Sequence, residues 1–190
     1  MTWPRVALLD RDGVLNENRP DHVTELREWR WLPRAIDGCV RLATAGVRIA
    51  VVTNQAAVAR GLLNETGLDR IHAHMVRGLA TAGVPEPLVL HCPHPPEAGC
   101  ECRKPRPGML VEAIARLQVH AGDCVLVGDH VHDLHAAESA GCWSIHVLSG
   151  RGGPPDDPPP GCLGSVPDLA DAAELALSSR RRIVSVSGAD

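Results

Sequence analysis

Phenylalanine and tyrosine are absent from this 190-residue sequence, and four tryptophans (Trp3, Trp29, Trp31, Trp143) are its only large aromatic residues. Stacking the bases of a single strand needs a row of aromatic faces, so their scarcity argues against single-strand binding. An excess of positive charge is missing too. Nineteen Lys and Arg stand against 23 Asp and Glu, a formal net charge of -4, which leaves no electrostatic footprint for nucleic acid or an anionic membrane. No apolar run approaches the roughly 18 residues a membrane span needs. Met1-Thr-Trp-Pro-Arg5 runs straight into an apolar strand without a signal-peptide layout. The seven cysteines are therefore expected as thiols in the cytoplasm, as ligands or core residues rather than staples. What remains for a core is Leu, Val, Ile and Ala. The length suits one domain burying about 70 % of the surface its unfolded chain exposes.

Short apolar runs alternate with helical patterns. Val6–Leu9, Val47–Val52, Leu88–Leu90, Cys124–Val127 and Trp143–Leu148 read as strands. Between them, Arg34–Ala45, the stretch from Asn64 to Gly83, Met109–Leu117 and Leu134–Ala140 read as helices, and a last helix is expected over Asp168–Leu177. Near-continuous apolar strands separated by helices predict a parallel sheet covered on both faces, a doubly wound α/β domain. Ser149–Val166 holds five Pro and five Gly and reads as a stiff, exposed loop. One domain is expected over residues 1–178, with a frayed tail at 179–190 that includes Arg180-Arg-Arg182.

Ligands of such sheets bind beyond the carboxyl ends of the strands. There the sequence places Asp10-Arg-Asp-Gly-Val14, Thr53-Asn-Gln55, Cys102-Arg-Lys-Pro105 and Gly128-Asp129. A carboxylate can attack phosphorus and form an acyl-phosphate. A second one, two residues on, can protonate the leaving oxygen and later activate water. Several carboxylates facing a phosphate need a hard cation between them, a place that suits Mg²⁺. Thr53 and Lys104 can then hold phosphoryl oxygens. Any one of these features alone is an ordinary turn, cap or surface residue; their order and shared position at strand ends point to phosphoryl chemistry.

Together, Asp10–Val14, Val52–Gln55 and Gly128-Asp129 resemble the haloacid-dehalogenase-type phosphatases. Cys102-Arg-Lys-Pro-Arg-Pro-Gly-Met109 narrows the resemblance to the branch holding heptose-bisphosphate and histidinol-phosphate phosphatases. The resemblance spans about Leu8 to Leu148. It implies a Rossmann-like fold without a large cap, Asp10 as nucleophile and Asp12 as general acid/base. It also implies Mg²⁺ held by Asp10, Asp129 and the Asp12 backbone carbonyl, with Asp133 supporting from a second shell. Thr53 and Lys104 are implied at the phosphate, and Asn54, Gln55 and Arg103 along the substrate.

Within residues 91–103 lie Cys92-x-His94 and Cys100-x-Cys102, each pair able to place two ligands on one side of an extended segment. Four such ligands suit a closed tetrahedral Zn²⁺; free thiols on a flexible loop are the competing reading. The resembling branch carries a structural zinc on these same pairs. Cys39, Cys124, Cys142 and Cys162 lie apart and are expected as core or loop thiols.

Two features depart from the branch. His130 stands where relatives usually carry Lys, and Asn18-Arg-Pro-Asp-His-Val23 replaces a Gly-Tyr-Val segment near the substrate. His130, Asn18 and Arg19 are accordingly expected to face the substrate. A second metal site at His130, His132 and His135 weighs less than a solvated helix start. The expected substrate is a small phosphorylated molecule handled by a monomer. The leading candidate is D-glycero-D-manno-heptose 1,7-bisphosphate, cleaved at the 7-phosphate. Histidinol phosphate is the alternative, and a non-catalytic phosphosugar binder a third reading that has no need of Asp10 and Asp12.

Overall fold

The structure, a computed structural model, describes residues 3–179. The expected tail, apart from Ser179, lies outside the described residues. Six strands form one all-parallel sheet: β1 (Val6–Leu9), β2 (Arg48–Asn54), β3 (Leu88–Cys92), β4 (Cys124–Gly128), β5 (Trp143–Val147) and β6 (Cys162–Val166), in the order β3-β2-β1-β4-β5-β6. Four helices connect the first five strands, α1 (Ala35–Thr44), α2 (Glu65–Thr81), α3 (Gly108–Leu117) and α4 (Val131–Ser139), and α5 (Leu169–Ser178) follows β6. No helix among the described residues is long and apolar enough to cross a membrane.

Strand alternation sorts the core into two layers. Ala7, Leu9, Ile49 and Val51 pack with α1, α2 and α5 through residues such as Leu42, Ile71, Met75 and Ala173. Val6, Leu8, Ala50 and Val52 face the other way, onto Met109 and Leu110 of α3 and Ala136 and Ala137 of α4. Both faces are covered, which is why the strands read as unbroken apolar runs. The strand order reverses between β1 and β4, so the loops after these two strands part and open a crevice above the sheet.

Local chemistry sets the helix starts. Asn64 accepts from the Gly67 amide at 2.7 Å to open α2, and Asp168 accepts from the Ala170 and Asp171 amides at 2.9 and 3.1 Å to open α5. His130 caps α4, accepting from the His132 amide at 3.2 Å, so this helix begins three residues before the apolar pattern from Leu134 suggests.

One expectation is corrected. The last five residues of the Pro/Gly-rich stretch are not loop but β6. It is an edge strand whose side chains are only partly covered, and its pairing with β5 is irregular between Ser144 and His146. Backbone ladder bonds hold it without the apolar run that marks a central strand.

Helices α1 and α5 touch at Gly38, where an added Cβ would lie 2.7 Å from the Leu169 backbone carbonyl. Gly38→Ala is expected to force the helices apart at a cost of about 1–3 kcal/mol, read as a lower melting temperature. Gly122→Ala, with nothing within 4 Å of the new Cβ, should not lower it.

Candidate active site

Strand β1 delivers Asp10 to the crevice. Its amide donates to Val127 O at 3.0 Å, the last rung beside β4, and the side chain emerges where the sheet ends. Asp129 follows β4 directly, and Asp133 rises from the first turn of α4. Asp10, Asp129 and Asp133 each offer a carboxylate oxygen within 4.8 Å of the other two. Such closeness requires missing side chains. Gly13 turns the chain at φ +86°, and a Cβ there or at Gly150 would overlap the Asp129 carboxylate; at Gly128 it would overlap Asp133.

Lys104 is the buried counter-ion. Its Nζ lies 3.0 Å from Asp10 Oδ1 and 2.6 Å from Asp133 Oδ1, and donates to Val52 O at 2.8 Å. Burial alone would lower this ammonium, but Asp10 and Asp133 outweigh it and push it up to about 12. Burial pushes Asp10 up to about 7, helped by Asp133, Asp129 and Asp12 and opposed by Lys104. Asp129 is raised by burial and by Asp133, against the Arg151 amide, which donates to it at 2.8 Å. Three carboxylates and one ammonium leave a double negative charge on hard oxygen ligands, which fits a divalent cation such as Mg²⁺.

Asp12 lives in a different environment. Arg11 Nη2 reaches both its oxygens, at 3.1 and 3.0 Å, Asn16 donates at 2.8 Å and Gln55 at 2.8 Å. Burial would raise its carboxyl, but Arg11 and the Asn16 and Gln55 amides prevail and hold it below the ordinary range. Arg11 itself is fully buried, with His72 Nε2 3.3 Å from its Nη1. Burial and the Arg11 charge lower His72 to about 3.

Of the residues expected along the substrate, one lies elsewhere. Thr53 reaches the cleft, but Gln55 does not line it: Gln55 is buried, its amide held by Asp12 and by Thr53 Oγ1 at 2.8 Å. Asn54 lines the cleft, yet its amide is engaged with the Lys104 backbone, donating to its carbonyl at 3.0 Å and accepting from its N–H at 3.1 Å. Asp133, paired to Lys104, places a carboxylate oxygen within 4.8 Å of those of Asp10 and Asp129.

The cleft, about 580 Å³, is lined among others by Asn18, Arg19, Arg103 and His130. Arg19 is paired with Asp21 at 2.7 Å, and Asn18 faces Asp129 at 3.5 Å. His22, Arg60, His132 and Arg151 also line it and were not expected. Of these, the cationic Arg60, six residues beyond the Thr53–Asn54 strand end, was the one open to detection.

The four Cys and His ligands converge. Their sulfur pairs are 3.2, 3.5 and 3.6 Å apart, and His94 Nδ1 lies 3.3 Å from Cys102 Sγ and 3.6 Å from Cys92 Sγ. A disulfide would bring two sulfurs to about 2.05 Å. A zinc tetrahedron with bonds of about 2.3 Å has edges of about 3.8 Å, close to what is seen. The donor set and its geometry fit a closed zinc site. Cys39, Cys124 and Cys142 are buried free thiols and Cys162 a half-buried one, as expected.

This chain has relatives. A sequence model of HAD-hydrolase-like proteins matches residues 101–172. The D-glycero-beta-D-manno-heptose-1,7-bisphosphate 7-phosphatase of Pseudomonas aeruginosa is 39% identical over 147 residues, covering 77% of this chain and 83% of that protein. The chain belongs to this phosphatase family. The D-glycero-alpha-D-manno-heptose-1,7-bisphosphate 7-phosphatase of Photorhabdus laumondii is 33% identical over 144 residues, 72% of this chain and 78% of that one. The crystal structure of the D,D-heptose 1,7-bisphosphate phosphatase from B. bronchiseptica, complexed with magnesium and phosphate, superposes with a TM-score of 0.84 at 37% identity, over 92% of this chain and 99% of that one. The resemblance read from the strand-end motifs is borne out, and so is the haloacid-dehalogenase fold.

The raised acidity constant of Asp10 has a stability consequence. Folded Asp10 keeps its proton to about pH 7, whereas in the unfolded chain it is lost near the ordinary 3.8. Its contribution to stability is full below the lower value and disappears as pH rises through the upper one. In magnesium-free buffer, Asp10→Asn should therefore gain on the wild type in melting temperature as pH rises through about 7. Saturating Mg²⁺ should reverse the gain, because the ion favours the carboxylate. A melting difference independent of pH without Mg²⁺ would contradict the electrostatic account.

Proposed function

We propose that this chain is a magnesium-dependent phosphatase that removes the 7-phosphate of D-glycero-D-manno-heptose 1,7-bisphosphate through an aspartyl-phosphate on Asp10. The observation that carries the reading is the meeting of Asp10, Asp129, Asp133 and Lys104 at the switch point of the sheet, with Asp12 beside them.

Asp10 is the nucleophile. Its arginine-free surroundings leave one oxygen paired to Lys104 and to the Arg11 amide at 2.7 Å, and the other available to phosphorus. Asp12 protonates the leaving sugar oxygen and then takes a proton from the water that hydrolyses the acyl-phosphate. Thr53 Oγ1 and Lys104 Nζ hold phosphoryl oxygens, while Asn54 keeps the Lys104 backbone in place. Mg²⁺, held by Asp10, Asp129 and the Asp12 carbonyl with Asp133 adjoining, neutralises charge between the carboxylates and the phosphate when bound. Arg103, Arg60, Arg151 and Asn18, on the rim, face the sugar and its remaining phosphate.

The Cys92, His94, Cys100 and Cys102 site is structural zinc with no ligand position left open. Arg103 and Lys104 follow the last ligand directly, and Arg103 Nη1 donates to His94 O at 3.1 Å, so the metal orients both. One zinc per chain is expected by elemental analysis of protein purified without chelator. Removing it should lower both melting temperature and activity; full activity and an unchanged melting temperature in metal-free loops would refute the assignment.

Both heptose bisphosphate anomers, histidinol phosphate and simple phosphomonoesters, assayed for kcat/KM, test the substrate. The heptose bisphosphates should lead the panel. Asp10→Asn should abolish turnover without unfolding the chain, and acid-quenched mass spectrometry should find phosphate on Asp10 of the active enzyme. Near wild-type turnover in Asp10→Asn would sink the mechanism.

A further inference from the structure

Beneath Asp12 lies a polar chain that the proposed chemistry does not use directly. Arg11 is fully buried and spends its two terminal nitrogens on fixed partners. Nη2 lies 3.1 and 3.0 Å from the two Asp12 oxygens and donates to Gln55 Oε1 at 3.0 Å; Nη1 lies 3.3 Å from His72 Nε2. Its guanidinium sits 5.9 Å from the centre of the Trp29 ring. A guanidinium only donates, so His72 Nε2 accepts and the imidazole carries its proton on Nδ1.

His72 projects from the apolar face of α2, among Leu68, Ile71 and Met75, where packing alone would be served by a hydrocarbon. A buried charge is costly unless its donors meet acceptors, and Arg11 Nε already lacks one. The acceptor at His72 therefore decides where the guanidinium rests, and the guanidinium decides where the Asp12 carboxylate rests.

We propose that Arg11 and His72 are positioning residues for Asp12: His72 anchors the guanidinium, which aims the carboxylate at the leaving oxygen. This rests on the reading of Asp12 as the proton donor. Proton delivery depends on tight placement of donor and acceptor, so a small displacement is felt in the rate. It is felt unequally. An alkyl leaving group departs poorly without a proton, whereas p-nitrophenolate is stable unprotonated. Loss of positioning must therefore hurt sugar phosphates more than p-nitrophenyl phosphate, a selectivity that general loosening of the fold does not produce.

The test measures kcat/KM, which reports the steps through phosphoryl transfer to Asp10, for the best sugar phosphate and for p-nitrophenyl phosphate. His72→Leu should lower the sugar phosphate value roughly tenfold to a hundredfold more than the aryl value, part of the range general acid catalysis supplies. His72→Gln keeps an acceptor and should recover most of that loss. Arg11→Lys keeps the charge without the fork and should show the same selectivity, which covers the case of a His72→Leu protein that does not fold. Asp12→Asn is the reference and should be the most selective of all. Equal losses on both esters in the His72 and Arg11 variants, with a selective loss in Asp12→Asn, would overturn the positioning role alone. No selectivity in Asp12→Asn would overturn the proton-donor reading and this inference with it.

Discussion

One buried ammonium organises the site. Lys104 joins the end of β1 through Asp10, β2 through Val52 O and α4 through Asp133. Without it, Asp10 and Asp133 would face each other in a region with little water, and at least one would have to be neutral. The ammonium in turn has no regular element of its own. It sits between β3 and α3, held by the Asn54 amide from the sheet side and following the Cys and His loop from the other. A loop with so little apolar surface cannot fix a lysine by packing. Four converging Cys and His side chains offer what hydrocarbon does not, and Lys104 follows the last of them by two residues.

The two carboxylates of the Asp-x-Asp pair are sorted by their cations. Asp12 is met by Arg11 and by the Asn16 and Gln55 amides and is held low; Asp10 shares Lys104 with Asp133, stands near Asp129, and is pushed up. Taken without a metal, this order is the reverse of what a nucleophile and a proton donor require. A divalent ion beside Asp10 inverts the local logic, because it becomes the largest charge in the group. The double negative charge left by three carboxylates and one ammonium thus suits a divalent cation, while Asp12 is held by Arg11 and by the Asn16 and Gln55 amides.

Much of this was legible from residue types at strand ends. Asp10, Asp12, Asp129 and the four converging Cys and His residues were readable because each sits at a fixed offset from an apolar run or from a like partner. Gln55 was misplaced although strand alternation was available: Thr53 and Gln55 share a face by their spacing of two, and that face turns down toward Asp12. His72 carried a signal too, as the one polar residue among the buried side chains of α2. Strand β6 left none, since an edge strand is held by backbone bonds and its Gly164 and Ser165 read as loop. His22 and Arg151 come from two separate loops whose meeting is a product of tertiary structure.

The histidine at position 130 shows how one departure is absorbed. Its ring accepts the His132 amide at Nδ1 and packs edge-on against His132 at 4.3 Å, while its own amide donates to Asp133 Oδ2 at 3.2 Å. Only Nε2 is left to face the cleft, in place of the flexible ammonium that the resemblance implied at this position. The ring is thereby committed to the cap of α4, the element that presents Asp133 to Lys104. A lysine at this position is free of that commitment, since its side chain takes no part in capping. Positive charge toward the substrate is then left to Arg103, Arg60 and Arg151 on the rim, whose guanidinium groups come from loops and leave the carboxylate group undisturbed.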